Sequence, residues 1–244
     1  MMRHYNPKIS ILLRGQHYQN NVLPSNKKWF GSFFDIIGNF KKMILYPLKE
    51  KFNVEIYISS WTSPIQYKFN KYKSIFHPIE NYEKNNFKQA NIILNGLNLI
   101  PNNQNDLILI LRFDLLWKIP ITNWFPFKAN FDICMLWREG YSDWHWQNNF
   151  ATDVFFAIKN QNNNLNKFKK AIEIHLQKHV NSFAPYSLHY LYPLLKPMKT
   201  IFCFNDHYSS RTGGNGMGMG PNPIYINYEN NMDIKNLIQN YLLQ

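Results

Sequence analysis

The sequence predicts an α/β fold: a mostly parallel central sheet flanked by helices, in a single domain. Three observations predict it. The first half alternates β-rich apolar runs with stretches of helical periodicity, the β-α-β-α-β order that parallel strands joined by crossover helices require. The run Asp106 to Leu111 (DLILIL) is apolar without alternation, as a strand covered on both faces must be. The 244 residues contain no internal repeat and no linker long enough to divide them, which fits one domain.

The elements follow in order. Lys8 to Leu13 is a short apolar run ending at Arg14-Gly15, the first strand. From Trp29 the positions Phe33, Ile37, Phe40, Ile44 and Leu48 recur at helical spacing and predict an amphipathic helix over about residues 26 to 50. Asn53 to Ser59 (NVEIYIS) alternates and is rich in β-formers, a second strand. The segment holding Pro64 and Pro78 is expected to be an interrupted helix. Tyr82, Phe87, Ala90, Ile93, Leu94 and Leu97 then recur helically, closed by Asn98 and Pro101, before the DLILIL strand. In the second half, Phe131 to Trp137 and Thr152 to Ile158 are expected strands, separated from a helix over Leu165 to Val180 by an Asn-rich turn. A short helix opened by Pro185, a strand over Thr200 to Phe204, a glycine-rich loop over residues 212–221 and a closing helix over Met232 to Leu243 complete the expectation.

Composition bounds the function. With 45% hydrophobic and 17% charged residues the chain can bury a sizeable core, which excludes disorder, coiled coil, collagen and disulfide scaffold. Its 27 Lys+Arg against 15 Asp+Glu give a net charge of +12, a field that favours anionic partners. Abundant Asn, Lys, Ile, Tyr and Phe with scarce Ala and Gly are what an AT-rich coding sequence produces, and no dense basic run occurs. The charge therefore carries less weight for nucleic-acid binding than its size suggests. The two cysteines, Cys134 and Cys203, lack a CxxC partner and suit a reducing compartment, so a cytoplasmic location is expected, in the host cytoplasm or virion for a viral source. Ile9 to Leu13 is too short for a signal-peptide core or a membrane span, and no transmembrane segment is expected.

In open parallel sheets ligands bind beyond the carboxyl ends of the strands. Those ends here carry Arg14-Gly15-Gln16-His17-Tyr18, Ser59-Ser60-Trp61-Thr62 and Arg112-Phe113-Asp114. Only one glycine follows the first strand, so the G-x-G-x-x-G fingerprint of dinucleotide sites is missing, and no G-K-[ST] marks a P-loop. His175 and His179 stand four apart without a third metal ligand in a matching setting, which makes them a helix face.

The motifs LLRGQ (Leu12 to Gln16), IYISSW (Ile56 to Trp61), LILRFDLLWKIPI (Leu109 to Ile121) and ATDVFFAI (Ala151 to Ile158) together resemble GT-A-type glycosyltransferases, in particular the small group found in bacterial polysaccharide loci and large DNA viruses. The resemblance covers residues 8 to about 195. It implies a GT-A-like, Rossmann-like single domain over 1–244, with a nucleotide-sugar-binding half (1–125) and an acceptor-side half (126–244) that includes the loop 212–221. It also implies transfer of a hexosyl or pentosyl group from a nucleotide-diphosphate-sugar donor to a glycan or other hydroxyl acceptor. Donor contacts fall to Arg14, Gly15, Ser59, Ser60, Trp61, Arg112, Asp114 and Arg211.

A donor diphosphate is commonly assisted by a divalent cation, Mn²⁺ or Mg²⁺, held by carboxylates. Asp114 stands where the family's D-x-D motif supplies the ligand, but the position two before it is Arg112. Metal binding at Asp114 then needs the diphosphate, water or a distant acid such as Asp132 or Asp206; alternatively Arg112 itself neutralises phosphate. An inverting transfer needs a general base for the acceptor hydroxyl, with Asp153 the first candidate and Asp143 the second. Trp137, Trp144, His145 and Trp146, within or beside WREGYSDWHW, supply flat rings and polar groups suited to a sugar. Arg211 and the glycines after it suit a lid over the diphosphate. Two alternatives compete: a basic viral nucleic-acid-binding protein whose aromatics stack on bases, and a catalytically inactive glycosyltransferase-like scaffold. No specific nucleic acid is expected as partner of the favoured reading.

Overall fold

Alternating apolar runs and helical stretches become a three-layer structure, seen in a computed structural model that describes residues 7–19, 31–78, 89–102, 105–139, 151–178, 188–204, 207–208 and 224–227. The strands are β1 (Lys8–Gly15), β2 (Tyr18–Gln19), β3 (Gly31–Ser32), β4 (Asn53–Trp61), β5 (Lys73–His77), β6 (Leu107–Arg112), β7 (Leu115–Trp117), β8 (Ile133–Met135), β9 (Arg138–Glu139), β10 (Phe155–Lys159), β11 (Thr200–Phe202), β12 (His207–Tyr208) and β13 (Tyr225–Asn227). The α-helices are α1 (Phe33–Phe40), α2 (Tyr46–Lys49), α3 (Gln89–Asn98), α4 (Ile121–Trp124) and α5 (Asn164–Lys178). A π-helical turn, Lys41–Leu45, joins α1 to α2, and Gln66–Phe69 and Leu188–Leu195 are 3₁₀ segments.

Seven strands form the main sheet in the order β11-β8-β10-β6-β1-β4-β5. β1 lies parallel between β4 and β6, β4 is parallel to β5, and β8 is parallel to β11. β10 alone among these seven runs the other way, antiparallel to β6 and β8. Strands from both halves of the chain thus share one mixed, mostly parallel sheet.

Side chains alternate across each strand, so the sheet feeds two cores. Ile9, Ile11, Leu13, Leu109 and Leu111 pack on one face against Phe33, Ile36 and Phe40 of α1 and against Trp117 and Trp124. Leu12, Ile108, Ile110, Phe156 and Ile158 pack on the other against Ala90, Ile93 and Leu97 of α3 and Phe168 and Ile172 of α5. Gly96 is the closest approach of α3 to the sheet: a Cβ there would lie 2.6 Å from a Leu12 methyl and 2.8 Å from Ser59 Cβ. On the first face Asn39 of α1 bonds both backbone groups of Trp117, accepting from its N–H at 2.7 Å and donating to its carbonyl at 2.9 Å.

Several expectations change. The first helix begins at Ser32, whose hydroxyl accepts from Phe34 N at 3.1 Å while Asp35 accepts from Ser32 N at 2.7 Å, a capping box. The segment between Pro64 and Pro78 holds only one 3₁₀ turn of helix and then β5, the edge strand; its lysines obscured the β pattern because an edge strand tolerates charge. The expected strand over Phe131 to Trp137 is short, Ile133–Met135, and the helix opened by Pro185 is 3₁₀ from Leu188. Cys134 and Cys203, 69 residues apart, meet with sulfurs 3.3 Å apart as free thiols, and burial together with this contact pushes the Cys203 thiol up. The glycine-rich loop 212–221 and the closing helix 232–243 lie outside the described residues.

Candidate functional site

Arg14 and Arg112 end two neighbouring parallel strands in direct register, so both guanidiniums leave the same side of the sheet. Like charges placed side by side in this way repel, and the fold sets carboxylates between and beside them. Because β10 is antiparallel, its start lies beside the carboxyl end of β6, with Phe155 opposite Leu111, and this brings Asp153 to the same end of the sheet.

Arg14 is buried, its side chain 2% exposed. It donates to Gln89 Oε1 of α3 at 2.6 Å and to the Asp153 carbonyl, and stands 4.0 Å from the Asp153 carboxylate. Its Nε has no hydrogen-bond partner. Burial drives its pKa down to about 10; Asp153 opposes that, Arg112 adds to it, and Asp114 opposes it more weakly. Arg112 reaches Asp153 from the other side, also at 4.0 Å, and forks onto Asp114 through Nε (2.8 Å) and Nη2. Arg112 and Asp114 are partly exposed, at 23% and 26% of their side chains. The quartet holds two positive and two negative charges, with Arg14–Asp153 inside and Arg112–Asp114 at the surface.

Beside it, Gly15 closes β1 at φ +100°, a left-handed conformation for which glycine carries no Cβ penalty. Its carbonyl accepts from Ser60 Oγ at 2.6 Å. Since that hydroxyl proton is engaged, His17 Nδ1–H donates to Ser60 Oγ at 2.5 Å and His17 Nε2 accepts from Ser63 Oγ at 2.7 Å. Phe69, Phe76 and Phe113 meet the imidazole edge-on, and burial lowers its pKa to about 4. Neutral His17 therefore staples β1 to the turn after β4.

The structure gathers Arg14, Gly15, Ser60, Arg112, Asp114 and Asp153 at one end of the sheet. Ser59 is also there in sequence, but its wholly buried hydroxyl donates to the Ile92 carbonyl of α3 at 2.6 Å, so it packs helix on sheet and does not face a donor. Trp61 is 6% exposed with its ring against His77, and Trp137 is fully buried against Phe204. Trp61, expected at the donor, and Trp137, expected at the sugar, are thus both covered by protein in the unliganded chain. Ser60 is likewise fully buried and serves the Gly15–His17 network. Asp143, Trp144, His145, Trp146, Arg211, Asp206 and His179 lie outside the described residues.

The arrangement does not fit a divalent cation at Asp114. Both oxygens of that carboxylate already accept from Arg112, and Arg112 and Arg14 would oppose the ion at close range. Asp132, once a possible second ligand, stands at the start of β8, the opposite end of the sheet, where it accepts from Lys199 N at 2.9 Å and Asn164 Nδ2 at 2.8 Å. Among the described residues no three His, Cys, Asp or Glu side chains come together as a metal site. The sequence placed His17 at this end without giving it a role, and it missed Ser63 and Gln89. His17 and Ser63 lie in turns whose partners are set by tertiary contact, and Gln89 carries no local signal.

No protein-family model matches the sequence, and no curated protein matches it significantly. Its backbone is similar to solved glycosyltransferases. The apo form of the glycosyltransferase GlyE from Streptococcus pneumoniae TIGR4 aligns with TM-score 0.48 and 11% identity over 80% of this chain, which spans 45% of that one. A glycosyltransferase involved in glycosylation of the major capsid of PBCV-1 aligns with TM-score 0.45 and 15% identity, over 80% of this chain and 81% of that one. The Drosophila β1,4-galactosyltransferase 7 mutant, in complex with manganese, UDP-Gal and xylobiose, aligns with TM-score 0.42 and 10% identity, over 92% and 71%. No helix among the described residues is long and apolar enough to cross a membrane.

Proposed function

We propose that the protein is a GT-A-like glycosyltransferase that takes a glycosyl group from a nucleotide-diphosphate-sugar donor and passes it to a hydroxyl of a glycan or similar acceptor. The observation that supports this most is the convergence of Arg14, Arg112, Asp114 and Asp153 at the carboxyl end of the parallel strands, where open α/β sheets bind ligands, in a chain lacking the dinucleotide and P-loop fingerprints. A diphosphate leaving group accumulates negative charge as the glycosidic bond breaks, and preset guanidiniums stabilise that charge.

In this reading the partly exposed Arg112 faces the donor and the buried Arg14 holds Asp153. Asp153, 5% exposed and bracketed by two guanidiniums, orients the arginines. For an inverting transfer Asp153 is the first candidate for the acceptor's base and Asp143, in the aromatic stretch with Trp144, His145 and Trp146, the second, and Arg211 is proposed as a further donor contact. The reading is tested by incubating the protein with UDP-, GDP- and dTDP-sugars and following release of the nucleoside diphosphate, with thermal shift as a parallel readout. One donor is expected to be hydrolysed slowly and to raise the melting temperature. No turnover and no shift with any donor, together with salt-dependent binding of random oligonucleotides, would replace this reading with the nucleic-acid one.

A further inference from the structure

We propose that Arg112 is an exchangeable clamp for the substrate's diphosphate, occupying the place a divalent cation would otherwise fill, and that Asp114 is its resting partner in the unliganded chain. The proposal rests on the preceding reading only in taking the substrate to carry a diphosphate.

Position comes first. Arg112 closes β6 and Asp114 follows two residues later in the turn before β7, so side-chain rotation alone can carry the guanidinium off Asp114 with the strand left in place. Both partners are about a quarter exposed, so a solute can reach the pair and the released Asp114 carboxylate can be hydrated. Arg14, in contrast, is 2% exposed and fixed by Gln89 and the Asp153 carbonyl.

Chemistry comes second. A planar guanidinium matches two oxygens of a phosphate as well as it matches two of a carboxylate, so a diphosphate competes with Asp114 for the same fork. A dication must instead expel Arg112 from both oxygens of Asp114 and then sit beside the freed cation. Exchange of anions is thus favoured by the charges present and addition of a cation is opposed by them. Arg14 makes the exchange tolerable. When Arg112 turns to the ligand, Asp153 keeps one guanidinium at 4.0 Å and is not abandoned as a buried lone charge.

The two models predict opposite signs for one substitution. If Asp114 were a metal ligand, Asp114→Asn would weaken diphosphate binding; as the competitor of the ligand, its neutralisation tightens binding. The experiment is isothermal titration of the full chain with inorganic pyrophosphate and with UDP, GDP and dTDP, in EDTA and in Mn²⁺ or Mg²⁺. At least one nucleoside diphosphate is expected to bind in EDTA, with less than about threefold change on adding the cation. Asp114→Asn is expected to tighten it severalfold, Arg112→Ala to weaken it at least tenfold, and Arg112→Lys to fall between, because the ammonium keeps the charge and loses the fork. Near-UV circular dichroism of each variant separates lost binding from lost structure, and Arg112→Lys carries the test if the alanine variant does not fold. Binding that requires the cation, binding weakened by Asp114→Asn, or no binding of any probe overturns the proposal. Arg112-dependent binding without turnover of any nucleotide sugar sustains the clamp while removing the glycosyltransferase reading. Cation-dependent turnover does the reverse. Pyrophosphate bound as tightly as every nucleotide assigns the site to the diphosphate itself, and preference for one base assigns it to that nucleotide.

Discussion

The two ends of the sheet handle their carboxylates differently. At the amino end, Asp106 accepts from the Lys8 backbone N–H at 2.6 Å and Asp132 from the Lys199 backbone N–H, with Asn164 alongside. At the carboxyl end, Asp114 accepts the fork of Arg112, and the Asp153 carboxylate lies 4.0 Å from guanidiniums of both Arg14 and Arg112. A backbone N–H cannot turn to another partner without moving a strand, whereas a partly exposed guanidinium can. The amino end is therefore fastened, whereas the carboxyl end holds one pair, Arg112–Asp114, that can exchange, and the same residue type, aspartate, serves both purposes because its partner differs.

The largest test of this contrast is Arg14→Met, which removes a buried guanidinium together with its bonds to Gln89 and to the Asp153 carbonyl. A loss of about 3–5 kcal/mol is expected by urea denaturation, against no more than about 1 kcal/mol for Arg112→Ala at the surface. Equal losses would erase the division into an inner and an outer pair.

Acid separates the ends next. The folded pKa of His17 is lowered to about 4 by burial, so the unfolded chain binds the proton first; its stabilising contribution is complete above about pH 6.5 and is lost as pH falls toward 4. That difference amounts to roughly 3 kcal/mol. Asp132 is held below the usual carboxylate range by the Lys199 N–H, so its contribution persists above that range and fades only in stronger acid. His17→Asn is expected to flatten the limb between pH 6.5 and 4 in a pH series of denaturation midpoints; an unchanged limb would mean that another group carries it.

Gly96→Ala addresses the framework under the site, because the added methyl meets Leu12 and Ser59 inside van der Waals distance. A loss of about 1–3 kcal/mol is expected from the melting temperature. Asp132→Asn should have the smallest effect, about 1 kcal/mol from the weakened bond to Lys199 N, with pyrophosphate binding unchanged. Altered binding there would show that the amino end communicates with the site.

Much of the fold was legible locally. The run DLILIL, the helical recurrence through Phe33, Phe40 and Leu48, and the recurrence through Ala90, Ile93 and Leu97 each report burial that their elements have. β5 was not legible, since an edge strand lacks the apolar signature of a central one. The site divided along a similar line. Arg14, Arg112 and Asp114 were visible as polar residues ending apolar strands, but Trp61 and Trp137 look identical in sequence whether they face a sugar or a core.

By itself, then, the sequence determined the strand–helix order, the two-sided burial of the central strands, and the concentration of arginine and aspartate where those strands end. Only the tertiary structure decided the direction of β10, the partner of each arginine, and the meeting of Cys134 with Cys203. The reason is range. Periodicity is imposed by the local backbone repeat and is written into neighbouring residues. Strand direction and ion pairing depend on contacts such as Arg14 with Asp153, 139 residues apart, which no local pattern encodes.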